Sequence, residues 1–106
     1  MVLCLDNKHK LLRAEEVSRG TLTSSLVHPR EVFALAIREG AAGVLVAHNH
    51  PSGNPEPSEE DVAITRRLVE AGRVLGIPLI DHLIIARDGL ASLKAMGIIL
   101  PNDRRG

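Results

Sequence analysis

The chain is predicted to fold as a single α/β domain, an α-β sandwich in which helices pack on a mixed sheet. Three observations predict it. Short β-branched and leucine-rich runs alternate with two amphipathic helical stretches, glycine and proline stand at their boundaries, and 106 residues suffice for one hydrophobic core but not for two. Val2-Leu3-Cys4-Leu5 reads as the first strand, Asp6 to His9 as a turn, and Leu11 to about Val17 as the returning strand. Thr21 to Val27 reads as a third strand. Pro29 then stands where a helix would begin, Val32, Phe33, Ala36 and Ile37 form its apolar face, and Gly40 suits its C-terminal cap. Ala42 to Ala47 is a buried strand ending at His48. After the loop Pro51-Ser52-Gly53-Asn54-Pro55-Glu56-Pro57 a longer helix runs from Ser58 to about Leu75, with Ile64, Leu68, Ala71 and Leu75 at helical spacing and Gly76 ending it. Pro78 to Ile85 is a strand, Arg87-Asp88-Gly89 reverses it, and a short element leads into Gly97. The order β-β-β-α-β-α-β-β, with no internal repeat, calls for a mixed sheet carrying both helices. The tail Pro101 to Gly106 is expected to fray.

Composition removes several function classes. Thirteen basic residues balance thirteen acidic ones, and Phe33 is the only aromatic residue. The chain therefore offers neither a basic field nor stacking platforms, and strong nucleic-acid binding is not expected from this domain alone. Its apolar runs are too short to span a bilayer, and Cys4 stands alone in a strand, which suits a small core residue in a reducing cytoplasm. No membrane role and a cytoplasmic location are the expectation.

The chemistry concentrates in His48-Asn49-His50 and, past the loop, in Ser58-Glu59-Glu60-Asp61. Alternate residues on an extended chain face the same way, so His48 and His50 can address one ion. Asp61, in the first turn of the following helix, can supply a third ligand. Three protein ligands with a fourth position for water are the mark of catalytic rather than structural zinc. A competing reading needs no metal: Ser58-x-x-Asp61 is also a capping box, in which the serine hydroxyl accepts a free backbone N–H and the aspartate reaches back. One carboxylate oxygen can serve each purpose. Among the remaining polar residues, His28 reads as a helix-start residue, and Asn49 and Ser52 as shapers of the loop. Arg66 and Arg67 read as part of a solvated, mixed-charge face. His82 beside Asp81 reads as a buried, hydrogen-bonded histidine, with an aspartate-oriented imidazole near the site as the sharper alternative.

These motifs resemble the RadC family, the bacterial branch of the JAB1/MPN metalloprotease-like domains. The likeness rests on Arg19-Gly20-Thr21-Leu22, Val27 to Phe33, Ala47-His48-Asn49-His50-Pro51-Ser52-Gly53, Pro57 to Asp61, and Asp81-His82-Leu83-Ile84. It implies a cytidine-deaminase-like α/β sandwich over residues 1–106, zinc on His48, His50 and Asp61, and Ser58 as stabiliser of a tetrahedral oxyanion. It further implies a metal-activated water acting on peptide or isopeptide bonds of a protein or peptide substrate. One departure bears on catalysis: the family's proton-moving glutamate precedes the first strand, where this sequence begins, so an isolated C-terminal domain is expected. Glu15, Glu16 and Glu31 are substitutes at non-matching places. Two other readings stay open, a DNA-repair module suggested by the family's naming alone and a catalytically silent metal-binding scaffold. A deaminase is disfavoured because H-x-E with a downstream P-C-x-x-C is missing.

Overall fold

In a computed structural model describing residues 1–16 and 28–99, the chain runs β1 (Val2–Leu5), β2 (Leu11–Glu15), α1 (Pro29–Glu39), β3 (Gly43–Asn49), α2 (Glu59–Leu75), β4 (Leu79–Ala86) and β5 (Gly89–Ser92). The strand expected over Thr21 to Val27 and the tail from Pro101 lie outside the described residues. The sheet order is β2-β1-β3-β4-β5. β3 and β4 are parallel while the other neighbours are antiparallel, so the sheet is mixed, as the alternation of elements predicted.

One face of the sheet is buried under the helices. Pairing sets Val2 opposite Val46, Cys4 opposite Val44, Val46 opposite His82, and His48 opposite Ile84. All of these side chains are buried, and the apolar ones share one core cluster with Val32, Phe33, Leu35 and Ala36 of α1 and Ile64 and Leu68 of α2. Cys4 is the small core residue expected, and burial pushes its thiol pKa up. Gly72 lets three elements converge. A Cβ there would stand 2.4 Å from the Ile77 carbonyl and 3.3 Å from the Phe33 ring, so any larger residue would force α2 away from both α1 and the start of β4.

Two helix positions depart from expectation. Ile37 is 59% exposed and Leu35 takes the core place instead. At about 100° per residue, Val32, Phe33, Leu35 and Ala36 span one arc, and Ile37 falls about 40° outside it. Leu75 is also exposed, although at about 100° per residue it continues the buried seam Asp61, Thr65, Leu68 and Gly72; it is the last residue of α2. Arg66 and Arg67 are exposed as expected. No helix among the described residues is long and apolar enough to cross a membrane.

The topology delivers the site to one end of the sheet. β3 and β4 finish side by side, and the chain leaving β3 crosses directly into the N-terminus of α2. In open α/β sheets the crevice beyond the carboxyl ends of parallel strands is the usual ligand position.

Candidate metal centre

β3 ends at Asn49, so His48 lies within the strand and His50 just past it. The His50 N–H still donates to the Ile85 carbonyl at 3.0 Å, which extends the pairing with β4 and preserves the alternation of side chains. Gly53 turns the loop with φ +88° and is buried. A side chain there would meet the Arg87 guanidinium at 2.9 Å, while the Gly53 carbonyl accepts the Asp88 N–H at 3.1 Å. The loop thus lies against the β4–β5 turn. Ser52 shapes it as expected, its hydroxyl accepting the Asn54 N–H at 3.3 Å; Asn49 is exposed.

α2 opens with the capping box. Ser58 Oγ accepts the Asp61 N–H at 3.1 Å and Asp61 Oδ2 accepts the Ser58 N–H at 2.8 Å. The cap fixes the rotamer that turns the Asp61 carboxylate toward the histidines. His50 Nε2 is 2.9 Å from Oδ2 and His48 Nε2 is 3.3 Å from Oδ1. The two readings of Ser58-x-x-Asp61 are therefore one structure, with a change in the division of labour. Oδ2 serves both the cap and His50, and Oδ1 faces His48.

One ligand atom from each of His48, His50 and Asp61 lies within 4.8 Å of the other two, a grouping able to hold a metal ion. Two further observations fit a cation there. His48 Nε2 is buried and makes no hydrogen bond among the described residues. His50 stands between two groups that can only accept, the Asn54 carbonyl 2.9 Å from Nδ1 and Asp61 Oδ2 2.9 Å from Nε2; a neutral ring has one hydrogen for the two, so with Nδ1 donating to the carbonyl a cation between Nε2 and the carboxylate would satisfy both. Burial lowers the His48 pKa, Asp61 opposing and His50 reinforcing the effect, which favours the neutral ligand form. For Asp61, burial acts upward but is outweighed by the two Ser58 hydrogen bonds and the neighbouring histidines, leaving its pKa below the usual value.

Behind His48 stands His82, 2% exposed. Its Nε2 is 2.9 Å from His48 Nδ1, and its Nδ1 is 2.6 Å from Thr65 Oγ1, which donates to the Asp61 carbonyl at 2.6 Å. Burial and then the nearby His48 push the His82 pKa down to about 4. His82 is thus hydrogen-bonded, as its burial suggested, yet Asp81 does not orient its ring. Asp81 instead accepts the His82 N–H, the Lys94 N–H and the Ser92 hydroxyl, tying β4 to β5. Thr65 escaped the sequence reading. The signal was its place four residues after Asp61 on the same helix face, where a threonine hydroxyl can bond the i−4 carbonyl.

The other candidates lie elsewhere. His28 occupies the N-cap position of α1, in keeping with a helix-start role. Glu15 pairs with Arg13 on β2, separated from β3 by β1, and Glu31 is exposed in the first turn of α1. The charge of Glu16 is felt at the Met1 ammonium, which donates to the Ala47 carbonyl at 2.7 Å, one residue before His48.

The chain is 55% identical over 98 residues to a UPF0758 protein of Symbiobacterium thermophilum, covering 92% of this chain and 42% of the relative. It is 53% identical over 98 residues to one of Syntrophomonas wolfei, with the same shares covered. A UPF0758 protein of Methanosarcina barkeri is 50% identical over 99 residues, 93% of this chain and 43% of that protein. The chain spans less than half the length of these relatives. The profile of the RadC-like JAB domain matches residues 1–98, and with the sheet, the helix cap and the His-His-Asp cluster in the places described, the chain belongs to that family.

Proposed function

We propose that the domain is a zinc-dependent metallohydrolase of the JAB1/MPN type, acting on peptide or isopeptide bonds of a protein or peptide substrate. The observation that carries this reading is the convergence of His48 Nε2, His50 Nε2 and an Asp61 carboxylate oxygen within 4.8 Å, with the first of them buried and without a hydrogen bond. Two imidazoles and one carboxylate are the donor set of a zinc site that leaves room for water. Zinc held there would acidify water and polarise a carbonyl.

The chain's own residues supply the rest. Ser58 is exposed, and its oxygen already accepts the Asp61 N–H, so its hydroxyl hydrogen is available to donate to an oxyanion beside the cluster. A proton acceptor must also lie within hydrogen-bond reach. The backbones of Met1 and Ala47 exchange hydrogen bonds of 2.7 and 2.9 Å, so a residue preceding β1 in a longer chain would be delivered beside His48. A glutamate from that direction is the base in this reading.

Two measurements test it. Zinc-loaded, dialysed protein should retain one zinc per chain, and His48→Ala should retain none; equal retention by both would refute the ligand assignment. In peptidase assays a longer chain carrying an upstream glutamate should exceed residues 1–106 by about a hundred- to ten-thousand-fold, the usual contribution of proton transfer. Equal turnover would refute the upstream base and direct attention to Glu16.

A further inference from the structure

We infer that Thr65 and His82 are positioning residues that fix the tautomer of His48 through one ordered chain of hydrogen bonds. The polarity of the chain follows from its end. The Asp61 carbonyl can only accept, so the Thr65 hydroxyl hydrogen points to it across 2.6 Å. With its single hydrogen committed, Thr65 Oγ1 can only accept from His82 Nδ1, also at 2.6 Å. The ring hydrogen of His82 is therefore on Nδ1. An uncharged imidazole carries one ring hydrogen, so His82 Nε2 presents a lone pair, and at 2.9 Å it accepts from His48 Nδ1. The hydrogen of His48 is then on Nδ1, and its lone pair is left on Nε2, the atom that faces Asp61 Oδ1 at 3.3 Å and makes no hydrogen bond.

A neutral His50 that donates from Nδ1 to the Asn54 carbonyl presents the same tautomer to a cation beside Asp61. His48, deeper in the core, has its tautomer set by two side chains carried on β4 and α2. The chain begins at the carbonyl of one candidate ligand, Asp61, and ends on the ring of another. Because α2 supplies both Asp61 and Thr65, the position of one helix turn decides two of the three ligands. Removing the Thr65 hydroxyl would free His82 to carry its hydrogen on Nε2 and donate to His48 Nδ1, which moves the His48 hydrogen onto the ligand atom.

The consequence for metal rests on the zinc reading above, whereas the tautomers belong to the metal-free chain and are measured separately. Long-range 1H–15N NMR correlations of metal-free protein at neutral pH should show hydrogen on Nδ1 of both His48 and His82. Thr65→Val should shift His48 toward the Nε2–H tautomer and weaken zinc about 10- to 100-fold in competition with a chromogenic chelator, the loss expected when a ligand's hydrogen-bond partner is removed. Thr65→Ser, which keeps the hydroxyl, should restore both. Hydrogen on Nε2 of His48 in the parent chain would overturn the relay, as would unchanged tautomer and affinity in Thr65→Val. Should Thr65→Val fail to fold, the parent spectrum and Thr65→Ser still decide. Failure of the parent to hold zinc would overturn the metal reading, and the parent spectrum would still decide the relay.

Discussion

The two histidines of the cluster are held in opposite ways. His50 lies past the end of β3, partly exposed, and its ring is fixed by a backbone carbonyl of the adjoining loop. His48 lies inside the strand, 8% exposed, and its ring is fixed by a buried side chain from β4 that is itself held by one from α2. A backbone carbonyl holds a ring whatever side chain the loop carries, so the loop half of the site tolerates substitution. The sheet half depends on the identities of Thr65 and His82, because its polar groups are buried and have no water to replace a lost partner.

Asp61 joins the two halves, and its loss should have the largest effect. Asp61→Ala removes the group facing both histidines and one arm of the cap, so metal retained after dialysis should fall from one per chain to none by elemental analysis. Asp61→Asn separates the functions: it still offers an acceptor to the Ser58 N–H, keeping the helix within about 1 kcal/mol of the parent, but loses the anionic ligand. Full metal content in either variant would break the assignment.

Acid should act next, and through the sheet half. The ordinary His82 value of 6.5 falls to about 4 in the fold. Between those limits the unfolded chain binds a proton that the folded chain does not, so stability decreases as pH falls from about 6.5 to about 4. The complete effect is about 3 kcal/mol. His48 and Asp61, also lowered, act in the same sense, Asp61 at lower pH. Urea unfolding of metal-free protein at several pH values measures it, and a flat profile across that window would contradict a buried neutral His82.

The smallest effect is expected on the loop. Asn54 holds His50 through its carbonyl, and its side chain only accepts the Glu56 N–H at 3.0 Å. Asn54→Ala should leave zinc affinity within about threefold and stability within about 1 kcal/mol, since only that one exposed hydrogen bond is lost. A loss as large as that of Thr65→Val would erase the contrast between the halves.

Much of this was legible before any coordinates. Short apolar, β-branched runs marked β1, β3 and β4, Pro29 and Gly40 bracketed α1, and Ser58-x-x-Asp61 announced the start of α2, because backbone hydrogen bonding and steric preference act over a few residues. The spacing of His48 and His50 placed two rings on one side of a strand by the same local rule. Ile37 was misplaced because an apolar residue beside a helix's buried arc looks no different in sequence from one inside it, and Leu75 because helical spacing does not say how far along a helix the packing extends. The double use of Asp61 Oδ2 was not legible either, since the cap fixes one contact and the approach of β3 fixes the other. Local sequence by itself determined the residue types of the candidate cluster and the helix cap. Only the tertiary structure decided that His82, 34 residues from His48, and Thr65, 17 residues from His82, meet in one hydrogen-bonded chain. Such a chain exists only where β3, β4 and α2 exclude water together, and no periodicity within a single element encodes that.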